Sequence, residues 1–289
     1  MSNKDASMAA VTKKLLRRYN IQTRKKLGQH FLIDDAVLEK ILDAAALTPE
    51  DTVIEVGPGL GLMTRELAKR AGWVIAIELD NRLASLLQDN LEAENVVVIN
   101  EDVLGTDPAK LMQGGAPHFP PQLRSYKVVA NLPYYITSPV LRHFLEASVK
   151  PSTMVVMVQK EVAEVIAAKA GDRSVLSIAV QFYGKPEIVA DVPAASFFPP
   201  PEVDSAVVKI KVYGKPPVAV DDVEGFFKLV RAGFTAARKQ VANSLAQGLK
   251  IDKEEAVGLL AKAGLDPQRR AETFTLEEWA TLYKVFYKK

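Results

Sequence analysis

From Asp34 to about Gln159 the chain alternates between apolar runs and amphipathic stretches. TVIEV (52–56), WVIAIE (73–78), VVVIN (96–100), YKVVAN (126–131) and STMVVMVQ (152–159) are nearly continuous in apolar residues, the pattern of strands covered on both faces. Between them, LMTRELAKRA (62–71) and NRLASLLQDN (81–90) carry Leu, Ala and charge at helical spacing. Such alternation predicts an α/β fold, a parallel sheet with helices on both faces. A Gly- and Pro-rich insertion, GGAPHFPPQ (114–122), reads as an exposed loop. Past Gly171 the runs lengthen: VLSIAVQFYG (175–184), EIVADV (187–192) and SAVVKIKVYG (205–214) predict strands that complete the sheet with an antiparallel edge. GKPPVAVDD (214–222) has the composition of a linker, and the rest is helical: 223–248, 253–264 and 275–287.

Composition narrows this picture. The 289 residues suggest two domains at roughly 150 residues each. A hydrophobic content of 48% with 25% charged residues excludes wholesale disorder. Without cysteine there are no disulfides, thiolate metal sites or cysteine nucleophiles, and His30, His118 and His143 are too widely spaced for a local metal motif. No apolar stretch approaches the roughly 18 residues that span a bilayer, and residues 1–26 lack the apolar core of a signal peptide, so a cytoplasmic protein without a membrane partner is expected.

The formal charge of +2 hides an asymmetry. Residues 1–26 hold eight basic residues and one acid, residues 222–289 hold twelve basic and nine acidic, and the middle is 17 basic against 25 acidic. An acidic body has basic ends. The domain reading is therefore a basic N-terminal extension (1–26) free to be flexible, a catalytic domain (27–214), and a helical C-terminal domain (215–289).

IEVGPGLGLMT (54–64) puts Gly57, Gly59 and Gly61 where the first strand meets its helix, letting a ligand approach the backbone at the carboxyl edge of the sheet. Glu78, ending the second strand, can accept both hydroxyls of a ribose. A nicotinamide fingerprint would need a third small residue where Leu62 stands, and the G-K-[ST] of a P-loop is absent. A tight turn without ligand is the plain alternative. Asp102, after the third strand, can accept from an adenine amine or cap the next turn. A row of candidates on successive strand ends is typical of S-adenosylmethionine sites.

ANLPYYITSP (130–139) begins where the fourth strand ends. An exocyclic adenine amine is a weak nucleophile because its lone pair is delocalised. Acceptance of both amine hydrogens, by the Asn131 side chain and by the Leu132 carbonyl held extended before Pro133, would favour the pyramidal amine and its developing positive charge. Tyr134 could stack on a base removed from its helix. The competing reading is a turn in which Asn131 caps the following helix and Tyr134 only packs.

RKKLGQHFL (24–32), EVGPGLGLMT (55–64), IELD (77–80), NEDVL (100–104), NLPYYITSP (131–139), FFPPPEVDSAVV (197–208), ARKQVANSL (237–245) and RRAETFTLEE (269–278) together resemble the small-subunit ribosomal RNA adenine dimethyltransferases, over more than nine-tenths of the chain. The resemblance implies a seven-strand, Rossmann-like S-adenosylmethionine-dependent methyltransferase sheet with a small all-α C-terminal domain. It implies methyl-donor contacts at His30, Leu32, Gly57, Gly59, Glu78, Asp102 and Asn131, no metal, and stacking aromatics at Tyr134 and Phe197; Phe197 otherwise reads as a hydrophobic plug. Position 30 is often Asn in that family and is His here.

The implied reaction dimethylates two adjacent adenines in the 3′-terminal hairpin loop of 16S rRNA within an immature 30S subunit, by a protein expected to be monomeric. Rival readings are a large-subunit methyltransferase of the macrolide-resistance type, and a mainly non-catalytic assembly factor or a transcription factor derived from the same family. For the RNA backbone the sequence offers Lys13, Lys14, Arg17, Arg18, Arg24, Lys25 and Lys26, then Arg231, Arg238 and Lys239, then Arg269 and Arg270.

Overall fold

The computed structural model describes residues 7–24, 28–113, 125–236 and 238–287. The loop expected at 114–122, with His118, and Lys25 and Lys26 lie outside the described residues. The chain divides into two compact units, Met1–Ala163 with Pro186–Val212, and Glu164–Lys185 with Tyr213–Lys289.

In the first unit, α1 (Met8–Arg18) is capped by Ser7 and buries Met8, Thr12 and Leu16, so part of the basic extension is a docked helix. The chain continues through β1 (Phe31–Leu32), α2 (Asp35–Ala45), β2 (Thr52–Val56), α3 (Leu62–Ala68), β3 (Trp73–Ile77), α4 (Asn81–Asn90), β4 (Val96–Ile99), α5 (Pro108–Gln113), β5 (Lys127–Asn131), α6 (Thr137–Leu145) and β6 (Thr153–Gln159). After α7 (Lys160–Ile166) and α8 (Val175–Tyr183) come β7 (Gly184–Val192), β8 (Phe197–Phe198) and β9 (Ser205–Val212).

Seven strands form one sheet in the order β4-β3-β2-β5-β6-β9-β7, and β1 pairs with β8 in a separate two-stranded ribbon. From β4 to β6 the pairing is parallel, and β9 is antiparallel to β6. The antiparallel pairing expected on that side of the sheet is the one between β6 and β9, and β7 follows as the edge strand. Every residue of β2 is buried, as helices on both faces require. The chain leaves β2 toward β3 and β4 on one side and later fills β5 and β6 on the other. The carboxyl ends of β2 and β5 thus flank the switch point where open α/β sheets bind ligands.

Of residues 175–184, expected as a strand, 175–183 form α8 instead and Gly184 opens β7. Ser174 and Ser177 make a reciprocal capping box, and Ile178, Val180, Phe182 and Tyr183 are buried. A helix apolar on most sides cannot be told from a buried strand by periodicity. Consequently residues 164–185 group with the helical unit, although the sequence-based boundary at 214 left them with the sheet.

In the second unit the run 223–248 is broken into α9 (Val223–Gly233) and α10 (Val241–Leu249), followed by α11 (Lys253–Lys262) and α12 (Leu276–Tyr287). Gly248 lets the two helices pack closely: a Cβ there would stand 2.5 Å from the Ala232 Cα, so they touch backbone to backbone. Phe182 stacks on Phe226, and Trp279 packs against Phe234 and Phe274. Among the described residues no helix is long and apolar enough to cross a membrane.

Candidate active site

The strand ends of the first unit converge on one cavity, lined among others by His30, Leu32, Gly57, Glu78, Asp102, Asn131 and Tyr134. Parallel strands in register end together, so the residues that follow β2, β3, β4 and β5 share an edge.

Gly57, Gly59 and Gly61 all have left-handed φ (+69°, +59° and +75°). The space around Gly57 is what separates it from the other two. A Cβ on Gly61 would strike Leu87, and one on Gly59 would press on the Phe31 ring, whereas a Cβ on Gly57 would meet nothing within 4 Å. The turn is held tight at Gly59 and Gly61 and keeps Gly57 open toward the cavity.

Glu78 is buried and held by two backbone amides. Its Oε2 accepts from the Gly59 amide at 3.0 Å and its Oε1 from the Asp80 amide at 2.8 Å. Burial pushes its pKa up, while those two amides hold it down and the Asp80 charge adds to the rise. Asp80 in turn is a hub. Burial would raise its pKa, but Arg82 outweighs that and lowers it, with help from Gln29 at 3.2 Å, and Arg24 stands 3.5 Å away. Gln29 also accepts from the Arg24 amide at 2.8 Å, so Asp80 ties the segment leading into His30 to the start of α4. Asp102 is exposed and caps the turn at 103–105 with one oxygen, at 3.0 Å from the Leu104 amide.

Asn131 carries the most telling geometry. Its Nδ2 donates to the His30 carbonyl at 2.9 Å, which turns Oδ1 away as an acceptor. It caps no helix; α6 has no side-chain cap. The Leu132 amide donates to the Met157 carbonyl at 3.1 Å, anchoring the NLPY turn to β6. The Tyr134 hydroxyl bonds the buried Ser205 Oγ at 2.8 Å, and its ring is stacked on His30 with centroids 5.9 Å apart. Burial raises the Tyr134 pKa, so the phenol stays neutral. His30 Nδ1 donates to the Pro199 carbonyl at 2.7 Å. His30 therefore supports the site twice, through its carbonyl to Asn131 and its ring to Tyr134.

Phe197 is not brought to Tyr134 on the cavity wall. At 2% exposure it sits in the core with Leu32, Val37, Met157 and Val207, opposite Leu32 in the β1–β8 ribbon. Its placement is the hydrophobic plug. Tyr135, 56% exposed and also lining the cavity, is an aromatic the sequence reading passed over; it is the second Tyr of NLPYY. Glu55 was passed over too, although a lone acid in an otherwise apolar buried strand is itself a signal.

The basic residues of the second unit divide. Arg231 on α9, Arg238 and Lys239 in the turn before α10, and Arg270 are exposed, Arg270 standing 3.6 Å from Glu272. Arg269 is committed internally: it pairs with Glu278 at 2.6 and 3.0 Å, bonds Thr273, and lies over the Phe274 ring. The Glu278 pairing raises the Arg269 pKa and lowers that of Glu278. As an RNA contact Arg269 is poorly placed, because its guanidinium already has partners.

The donor set fits a ligand with an adenosine and a cationic amino-acid half: an open glycine, an anchored carboxylate and an exposed one on adjoining strand ends. A family model described as ribosomal RNA adenine dimethylase matches residues 20–288. A protein named ribosomal RNA small subunit methyltransferase A from Dehalococcoides mccartyi (strain ATCC BAA-2266 / KCTC 15142 / 195) is 51% identical over 281 residues, covering 97% of this chain and 94% of its own length. A protein of the same name from Geobacillus thermodenitrificans is 44% identical, covering 97% and 96%. Among solved structures, a dimethyladenosine transferase from Plasmodium falciparum superposes with a TM-score of 0.75 at 26% identity, covering 90% of this chain and 98% of that one. The 23S rRNA methyltransferase ErmE gives 0.68 at 30% identity, covering 88% and 98%.

Proposed function

Since the chain belongs to the ribosomal RNA adenine dimethylase family, S-adenosylmethionine-dependent enzymes on a Rossmann-like sheet, we propose that it methylates two adjacent adenines in the 3′-terminal hairpin loop of 16S rRNA, in an immature 30S subunit. The relatives named for the small subunit reach 53% identity, against 30% for the large-subunit enzyme, which favours the small-subunit substrate. We place the work in the cytoplasm and in a single copy of the chain.

The observation that carries the reading is the Asn131 amide, whose Nδ2 is spent on the His30 carbonyl while Oδ1 remains to accept. When bound, the donor supplies an electrophilic methyl group on a sulfonium. Glu78 accepts the ribose hydroxyls, Asp102 the adenine amine, and Gly57 leaves room beside them, with His30, Leu32 and Gly59 completing the wall. Asn131 Oδ1 and the Leu132 carbonyl accept the two hydrogens of the target amine and favour the positive charge that grows on its nitrogen. No side-chain base is needed before attack, since the proton leaves after the N–C bond has formed. Once a first methyl is in place a single hydrogen remains, so one of these two acceptors is released in the second round. Tyr134 stacks on the flipped base, its ring held by His30 and Ser205. Arg231, Arg238, Lys239 and Arg270 meet RNA phosphates.

The test offers labelled methyl donor with undermethylated 30S particles, naked small-subunit RNA and 50S particles. Label is expected in the small-subunit RNA, on two neighbouring adenines. Label confined to 50S particles would instead support the macrolide-resistance type of activity, and no label on any RNA would support a binding role alone.

A further inference from the structure

The NLPY turn is followed by a second aromatic that the methylation chemistry does not use. Tyr135 is 56% exposed, the most exposed large apolar side chain among the described residues, and it lines the same cavity as Asn131 and Tyr134. A single exposed ring on an ordinary surface would need no explanation. This one stands at the rim of the site, beside the ring read above as the platform for the target base.

The local backbone sends the two rings apart. Tyr134–Ile136 form a short 3-10 turn, in which successive side chains point about 120° from one another. Tyr134 faces inward, its ring on His30 and its hydroxyl on Ser205, and Tyr135 faces out. Among the described residues the Tyr135 ring pairs with no other aromatic ring and its hydroxyl has no hydrogen-bond partner. One flank of the ring is nevertheless supported. A Cβ on Gly28 would stand 3.7 Å from Tyr135 Cδ1 and 3.6 Å from Pro133 Cβ, so the ring lies along the backbone that leads to His30. Residues 28–30 thus back both rings, Tyr135 at Gly28 and Tyr134 at His30.

We propose that Tyr135 is a second base platform, which stacks on the nucleobase next to the target adenine while Tyr134 holds the target itself. A base taken out of its stack leaves its neighbour with a bare face, and an exposed ring beside the pocket replaces the lost partner. The inference rests on the function proposed above, in which the target is one of two adjacent adenines. Stacking uses the face of a base and not its hydrogen-bonding edge, so Tyr135 needs its ring and not its hydroxyl. It also makes the two adenines unequal. A platform on one side of the pocket meets the partner adenine when the one target is bound, and the base beyond the pair when the other is.

The experiment measures kcat/KM for methyl transfer into undermethylated 30S particles rebuilt with three RNAs. One is intact, and each of the others has an abasic residue in place of one of the two adenines. The enzymes are the wild type, Y135A and Y135F, with donor Kd measured for each by calorimetry. On intact RNA, Y135A is expected to lose about tenfold through KM for the particle with donor Kd unchanged, and Y135F to match the wild type. The wild type is expected to lose about tenfold on one abasic RNA and little on the other. On the first, Y135A should lose nothing further, because the ring and the missing base are two halves of one contact. Y135A as fast as the wild type on intact RNA overturns the inference. So do a wild type indifferent to both abasic residues, losses that multiply on both, and a Y135A effect confined to donor Kd, which would seat the ring on the donor. In all of these the wild type still methylates intact RNA, and the proposed function stands. No methylation of intact RNA by the wild type overturns both. The wild type and Y135F on the abasic RNAs decide the matter even if Y135A does not fold.

Discussion

The two units hold charge in opposite ways. Along the strand ends of the first, acidic groups are buried or pinned: Glu78 by two backbone amides, Asp80 by Arg82 and Gln29, Glu55 inside the sheet. In the second, the basic groups free to act are exposed and sit on a helix end and a turn, Arg231, Arg238 and Lys239. A fixed constellation suits a small rigid ligand whose atoms must be placed to within fractions of an ångström. Exposed cations suit a polyanion, where neutralisation counts for more than angle. Chemistry and grip are therefore expected to fail separately.

The largest effect should come from Asn131→Ala. Removing the acceptor that favours the charged amine is expected to lower kcat by about 10²–10³-fold, the cost of losing one preorganised hydrogen-bonding group, while donor affinity changes far less. A KM-against-kcat comparison checks this. Next comes Glu78→Gln, which loses a charge-assisted acceptor and loosens the Gly59 turn. Donor Kd should rise by about 10–100-fold with RNA affinity unchanged, measured by calorimetry and filter binding.

On the other side of the comparison, R238E with K239E should weaken RNA binding by about tenfold or more and reduce the salt slope of log K by about 2, with donor Kd unaltered. A change in donor Kd, or an unchanged salt slope, would break the division between units. The smallest functional effect is expected from Arg269→Ala. Its pair with Glu278 is about a third exposed, so screening limits the loss to about 1–2 kcal/mol, a Tm lower by a few degrees. RNA affinity should stay within twofold.

The glycine turn and the strand pattern could be read without a structure because both are local. A parallel core demands apolar runs, and a left-handed φ demands glycine. The row of Asp102, Glu78 and Asn131 followed from alternation alone, since parallel strands in register end on one edge. Elsewhere the deciding partner was remote. Phe197 could be a stacking ring or a plug, and the β1–β8 pairing with Leu32, 165 positions away in sequence, makes it a plug. Arg269 and Arg270 look alike in RRAE, and a carboxylate nine positions on separates their roles.

The misread helix α8 has a different cause. Its residues are apolar on most sides, and the Ser174–Ser177 capping box was the one local sign of a helix start. The close packing of α9 on α10 at Gly248 and Ala232 joins residues 16 positions apart and could not be read from helical spacing. Glu55 was visible as an acid among Thr52, Val53, Ile54 and Val56, but its isolation from any partner is a property of the fold.

The central claim is that Asn131 and the turn it begins carry out adenine methylation on small-subunit RNA. It is tested most directly by nucleoside analysis of RNA from undermethylated 30S particles treated with the wild type or with N131A, both confirmed to bind donor and RNA. Dimethyladenosine at two adjacent positions with the wild type, and unmodified adenines with N131A, is the expected result. Dimethyladenosine formed by N131A at the wild-type rate would contradict it.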